Sequence, residues 1–268
     1  MARRRRTALV TGASTGIGRE FAKVFAEHGF DLVLVARRRD KLQQLAGELG
    51  RSYGVSALVI PQDLTLQDAA QAVFDEVQSA GIEIDVLINN AGIGFLDAFA
   101  DVPLDQHVKL LQLNVVALTS LTRLFVGPMI ERGWGKIINL ASAAAFQPTP
   151  SFALYGASKA FVLSLSEALA EELRGTGVTV TAVCPGFADT ALVRDALAAR
   201  GHQLEFASWL LLDPEAVARE GYQAAMRGKA IQVNGLPYKL SAQLVRFPPR
   251  WLTRTVGGLV GRFALSEY

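Results

Sequence analysis

Cysteine is nearly absent: Cys184 is the single thiol among 268 residues. No intrachain disulfide can form, which suits a reducing compartment. The thiol ends the run Thr-Val-Thr-Ala-Val-Cys (179–184), which predicts a small buried residue rather than a reactive one. Charge is also thin, at 19% of residues with a net of +2, too little to indicate nucleic-acid binding. No stretch reaches 18 consecutive apolar residues, so no membrane-spanning helix is indicated. His107 and His202 lack metal-ligand spacing or a partner, and no metal site is indicated. The start, Met-Ala-Arg-Arg-Arg-Arg, has the basic region of a secretion signal without the apolar stretch that should follow. These arginines read as a solvated tail, and the chain as cytoplasmic. No internal repeat or low-complexity linker interrupts the chain before about residue 235.

What the sequence has in abundance is apolar residues, 50% of the total, with a mean hydropathy of +0.26. They fall in short β-rich runs at 8–11, 32–36, 57–61, 86–89, 137–140, 178–183 and 230–233. Amphipathic helical patterns lie between them, at 17–28, 39–49, 66–79, 104–132, 151–174 and 214–227. Strand–helix alternation argues for an α/β fold: a doubly wound (Rossmann) parallel sheet of seven strands with helices on both faces. Fully buried parallel strands read as unbroken apolar runs, which raises the average. The expected organisation is one domain over 1–235 and a C-terminal helical extension over 236–268.

The first strand runs into Thr11-Gly12-Ala13-Ser14-Thr15-Gly16-Ile17-Gly18 and then a helix. Glycines let the backbone turn sharply and approach a ligand, and a helix N-terminus offers unpaired N–H groups to a pyrophosphate. Gly12, Ser14, Thr15, Gly16, Ile17 and Gly18 are therefore candidate cofactor contacts. Strand two ends Val35-Ala36-Arg37-Arg38-Arg39, with Asp31 at its other end and Asp40 already in the next helix. An acidic residue at this position takes the ribose 2′-OH of NAD, whereas arginine suits a 2′-phosphate. Arg37, followed by Arg38, thus predicts NADP(H). Asp63, followed by Leu64, sits after strand three, placed either to accept from an adenine amino group or to cap the next helix. Asn89-Asn90-Ala91-Gly92 reads as a buried polar turn close to the glycine loop.

Tyr155 and Lys159 share one helix face, being four residues apart. A cation fixed beside a phenol favours the phenolate and lowers its pKa. The pair is thus expected to give a proton donor and acceptor usable near neutral pH.

Taken in order, T-G-A-S-T-G-I-G (11–18), Asp63, N-N-A-G (89–92), Asn114, Ser142, Y-G-A-S-K (155–159) and P-G-F-A-D-T (185–190) form a highly specific set. The chain resembles the short-chain dehydrogenase/reductase family from about residue 6 to about residue 235. The resemblance implies roles. Ser142 would hydrogen-bond the substrate oxygen and Tyr155 would be the general acid/base. Lys159 would hold the nicotinamide ribose and lower the Tyr155 pKa. Asn114 would position a water in a proton relay from Lys159. Asn90, Ala91 and Gly92, together with Pro185, Gly186 and Thr190, would contact the cofactor, the last three at its nicotinamide end. The implied activity is hydride transfer between NADP(H) and the carbonyl or alcohol group of a small molecule. The family's habit of pairing through the helices at 104–132 and 151–174 implies a homodimer or homotetramer.

For the substrate, the segment 187–212 falls where this family carries a lid and includes Leu192, Val193, Leu197, Leu204, Phe206, Trp209 and Leu210. With Phe95, Phe146 and Phe152 it suggests a lipophilic ketone or alcohol, although many of these residues equally suit an ordinary core. The extension after Gly235 reads as a helical pair covering the core or as an oligomer contact. Its arginines and aromatics also suit peripheral contact with a membrane. Pro248-Pro249 and Gly257-Gly258 interrupt any long helix and favour packing.

Overall fold

A computed structural model describes residues 4–189, 211–245 and 247–255. Thr190, the lid residues 192–210 and His202 therefore lie outside the described residues, as do Arg246 and 256–268. Seven strands form one sheet: β1 (Thr7–Thr11), β2 (Asp31–Ala36), β3 (Ala57–Pro61), β4 (Val86–Asn89), β5 (Gly135–Leu140), β6 (Val178–Cys184) and β7 (Ile231–Val233). Their order is β3-β2-β1-β4-β5-β6-β7, and all six pairings are parallel.

Period-two alternation divides each strand between two cores. Ala8, Val10, Leu32, Leu34, Val86, Ile88 and Ile138 face one side. There they meet Phe21 and Phe25 of α1 (Gly16–Glu27), Leu42, Leu45 and Leu49 of α2 (Arg39–Tyr53), and Val217 and Ala218 of α7 (Pro214–Met226). Leu9, Val33, Val35, Leu87, Ile137 and Val180 face the other side. Their partners include Val73 and Val77 of α3 (Ala69–Ser79) and Leu121, Phe125 and Met129 of α5 (Leu118–Glu131). Each large side chain buried this way contributes about 1.5–3 kcal/mol, so both faces must be covered for the sheet to hold.

The pattern read as one helix over 104–132 is three continuous pieces: α4 (Leu104–Leu111), a π-helical turn (Gln112–Ala117) and α5. The stretch Leu104–Glu131 is long and apolar enough to cross a bilayer by length and composition. Within it Leu110, Leu121, Phe125 and Met129 are buried, and 39% of its most apolar 18-residue window is buried inside the protein. After it come β5, α6 (Ala153–Glu172), β6, α7, β7 and α8 (Leu236–Leu244), and residues 250–255 are again helical.

The expectation of a solvated arginine tail fails at Arg4, Arg5 and Arg6. Arg4 forks onto Asp85 at 2.9 and 3.0 Å and pairs with Glu83 at 2.8 Å. Arg5 donates to the Gly54 carbonyl, and Arg6 lies 3.7 Å over the Trp134 ring. Asp85 is the cause: its carboxylate also accepts from Thr7 N at 2.7 Å, so it needs a cation beside it at the entry to β1.

Candidate active site

In an open parallel sheet, ligands bind beyond the carboxyl ends of the strands where the strand order reverses. Here that point lies between β1 and β4. A cavity of about 540 Å³ opens there, running from the β1 loop to Pro185 after β6. Of the predicted residues, Gly12, Ser14, Thr15, Gly16, Ile17, Arg37, Arg38, Asp63, Leu64, Asn90, Ala91, Gly92, Tyr155, Lys159 and Pro185 line it. Gly18, Asn114, Ser142 and Gly186 stand behind or beside the wall. Lys109, Ile93 and Leu113 also line the cavity without having been singled out. The only sequence trace of Lys109 is its i, i+4 partner Asp105, 2.8 Å away.

The phosphate end is built by removing side chains. Gly12 has φ +67, a left-handed value that favours glycine. A Cβ on Gly18 would come within 2.3 Å of Asn90 Nδ2 and 2.5 Å of the Gly12 carbonyl. The vacated space lets Asn90 Nδ2 donate to the carbonyls of Thr11 at 2.9 Å and Gly12 at 3.4 Å. Thr11 Oγ1 in turn accepts from Asn90 N and Ala91 N at 2.9 and 3.0 Å. The backbone is thus held open at the N-terminus of α1, in the geometry an anion needs. Arg38 donates to Ser14 Oγ at 3.3 Å, which ties the end of β2 to this loop, and Arg37 is exposed beside it. Asp31 is committed elsewhere, accepting from Ser56 N at 2.8 Å. Asp63 caps no helix: Asp68 stands at the N-cap of α3, while Asp63 accepts from Thr65 N and Oγ1. These residues fit a dinucleotide carrying a 2′-phosphate.

At the other end, Tyr155 and Lys159 project from the first turns of α6. Lys159 Nζ sits 5.6 Å from the Tyr155 ring centroid and donates to the Leu140 carbonyl at 2.6 Å. Phe152 stacks on Tyr155, centroids 4.2 Å apart and 22° between planes, and both rings press on Gly94, where a Cβ would meet them at 2.7–2.8 Å. Ser142 caps the turn 143–146, accepting from Ala144 N at 3.1 Å. Its hydroxyl is near enough to the Tyr155 phenol to pull that group's pKa down.

The predicted lowering of the Tyr155 pKa is not what the protein's own atoms produce. Desolvation pushes the phenol up to about 12, with the Ser142 hydrogen bond pulling the other way. Desolvation likewise brings Lys159 down to about 8, opposed by Cys184. Burial penalises both charged forms, and it is the largest cause of both shifts. Cys184 is buried and pushed up to about 12, an inert thiol, as its apolar run predicted.

Asn114 lies in the π-helical turn, a rare geometry that recurs at functional sites. Its amide is fully engaged: Oδ1 accepts from Ile93 N at 3.0 Å, and Nδ2 donates to the Ile93 carbonyl at 2.9 Å and to Ser158 Oγ at 3.1 Å. Ser158 donates on to the Tyr155 carbonyl at 2.7 Å. The side chain thus braces the wall formed by residues 92–94 against the first turn of α6.

A doubly wound sheet whose crevice joins an anion cradle to a tyrosine, a lysine and a serine is the architecture of a dinucleotide-binding protein. The chain belongs to the short-chain dehydrogenase family, whose profile matches residues 6–201. It is 39% identical over 191 residues to a very-long-chain 3-oxoacyl-CoA reductase of Anas platyrhynchos, covering 69% of this chain but only 60% of that one. It is 40% identical over 184 residues to sulfoacetaldehyde reductase 2 of Chromohalobacter salexigens, covering 68% and 72%. Among solved structures, a short-chain dehydrogenase from Sphingobium yanoikuyae in complex with NADPH superposes with a TM-score of 0.79 at 32% identity, covering 86% of this chain and 88% of that one.

One contact joins the extension to the site. The Tyr238 ring of α8 covers Gly186, where a Cβ would fall 2.1 Å from ring carbons, and Tyr238 OH accepts from Phe187 N at 3.2 Å. Gly186→Ala is therefore expected to destabilise the chain by about 1–3 kcal/mol through overpacking. In a Tyr238→Ala background that cost should fall by at least half. Urea denaturation of the two single variants and the double variant measures this coupling, and additive costs would show that the ring does not set the limit.

Proposed function

We propose that the chain transfers a hydride between NADP(H) and the carbonyl or alcohol group of a lipophilic substrate, with Tyr155 as general acid/base. The observation carrying this reading is the Ser142–Tyr155–Lys159 cluster at the Pro185 end of a cavity whose far end is edged by Arg37 and Arg38. When bound, the nicotinamide supplies or takes the hydride. The chain's own residues do the rest. The Gly12–Gly18 loop and the N-terminus of α1 hold the pyrophosphate, and Arg37 and Arg38 take the 2′-phosphate. Asp63 and Leu64 border the adenine; Asn90, Ala91 and Gly92 line the middle; Lys159 holds the nicotinamide ribose; and Pro185, Gly186 and Thr190 hold the nicotinamide end.

A phenol pushed up to about 12 stays protonated across the physiological range, which favours proton donation to the substrate oxygen during reduction. Ser142 Oγ–H has the Pro185 carbonyl as a distant acceptor at 3.5 Å, at the limit of a hydrogen bond. It is therefore available to the same oxygen as negative charge develops there. Below about pH 8, Lys159 is an ammonium that stabilises the phenolate left after proton transfer. Asn114 contributes as a brace and, through the backbone of its π-helical turn, as the anchor for a water next to Lys159.

The lipophilic assignment rests on the apolar wall of Ile93, Leu113 and Phe152 near Tyr155 and on the acyl-chain relative. The sulfoacetaldehyde relative shows that identity near 40% does not by itself select a substrate. Leu104, Val108 and Leu111 form an exposed row on α4, 77, 56 and 40% accessible. We assign that row to a homodimer contact, since an apolar face of this kind on a core helix calls for cover.

Three outcomes test the reading. Tyr155→Phe should lower the rate of NADPH oxidation over a ketone panel by at least about a hundredfold, and parental turnover would remove Tyr155 from its role. Arg37→Asp should shift the kcat/KM ratio of NADPH to NADH towards NADH by at least about tenfold; a parent that prefers NADH would overturn the cofactor reading. The pH profile of kcat/KM for reduction should be flat below about pH 8 and fall above it, because Lys159 then loses its proton while Tyr155 keeps its own. Lys159→Arg should move that limb to higher pH; an unmoved limb would assign it to another group.

A further inference from the structure

Among the described residues, only one side of α8 packs against the domain. Ala242 is buried and Tyr238 lies over Gly186. On the opposite side, at i, i+4 and i+8, Leu236, Leu240 and Leu244 are 69, 56 and 64% exposed. Phe247 and Trp251 follow at 83 and 62%. Among the described residues this helix thus packs through one face and leaves the other bare, and the bare face is richer in large apolar groups. Exposed cations alternate with it: Lys239, Arg250 and Arg254. From residue 236 to 266 the sequence has five cations, Lys239, Arg246, Arg250, Arg254 and Arg262, and no Asp or Glu.

This combination discriminates between occupants. In a two-fold contact the segment would face its own copy, bringing cations together with no acid on either side to neutralise them. An anionic lipid surface supplies both missing complements, phosphates for the cations and an acyl boundary for Leu, Phe and Trp. We propose that the segment 236–255 is a peripheral membrane anchor for bilayers containing anionic lipid. Leu240, Leu244, Phe247 and Trp251 enter the headgroup–acyl boundary, and Lys239, Arg250 and Arg254 meet headgroup phosphates. Because Tyr238 of the same helix covers the Pro185-Gly186 turn, docking sets that end of the cavity beside the bilayer. A lipophilic substrate would enter from there, a corollary that rests on the functional reading above, whereas the anchor itself does not.

Co-sedimentation of the full chain with phosphatidylcholine vesicles, with and without phosphatidylglycerol, tests the anchor. Binding is expected on the phosphatidylglycerol vesicles and should weaken as salt is added. The paired substitution Leu240→Glu with Trp251→Glu should weaken it about tenfold or more, and so should Arg250→Glu with Arg254→Glu. All four positions are exposed, so the arginine pair keeps the test decisive should the apolar pair fail to fold. No binding of the parent to either vesicle, or equal binding by parent and variants, overturns the proposal. So does a change in oligomer size by light scattering in the apolar pair with vesicle binding intact, which would assign the face to a second copy. Absence of NADPH turnover in the parent, with vesicle binding retained, would count against the functional reading and leave the anchor standing.

Discussion

The carboxyl ends of β1 and β4 are locked together by one exchange of hydrogen bonds between Thr11 and Asn90. Thr11 Oγ1 takes two backbone N–H groups from the β4 turn, and Asn90 returns its amide to the carbonyls of Thr11 and Gly12. This exchange needs the space that side chains at 12 and 18 would fill. It occurs where the strand order reverses, so it fixes the spacing of the crevice on which everything downstream depends. From β4 the chain reaches Gly92, beside Lys159, and Gly94, whose missing side chain admits the stacked Phe152 and Tyr155 rings. Asn114 then ties residue 93 to Ser158 one turn into α6. The two ends of the cavity are thus joined by polar contacts running through the β4 loop, not only by the sheet.

The sheet was legible because parallel strands buried on both faces must be continuous, β-rich and apolar. The boundaries differ by one or two residues at most strands, and by a single residue at Thr7 and Asp31. The glycine loop and the i, i+4 spacing of Tyr155 and Lys159 were legible for the same local reason. The parts that escaped depend on residues distant in sequence. Arg4 finds Asp85, Tyr238 finds Gly186 and Phe187, and Lys109 enters the cavity wall, all through tertiary neighbours that no local pattern reveals. The π-helical turn at 112–117 sits in an amphipathic pattern indistinguishable from the α-helix on either side, and we have no local signal for it. The parts given to Ser142 and Asn114 came from family resemblance: a serine ending a strand and an asparagine inside a helix carry no such message alone.

The direction of the Tyr155 shift is the instructive misreading. A cation beside a phenol favours the phenolate, yet here the ammonium is itself desolvated, and one burial penalty acts on both groups before the charge of an oxidised nicotinamide is added. With the phenol at about 12 and the amine at about 8, the pair at neutral pH is a neutral phenol beside an ammonium, not an ion pair.

That arrangement has a thermodynamic consequence for the whole molecule. Lys159 falls from 10.5 to about 8 on folding, so between those two values the unfolded chain binds more protons than the native one, and stability rises with pH across that window. Below it the native state carries the full penalty, about 3 kcal/mol at 1.36 kcal/mol per pKa unit, against total stabilities of about 5–15 kcal/mol. At neutral pH the buried Lys159 ammonium is thus a standing load on the fold, and the two buried cores must carry it.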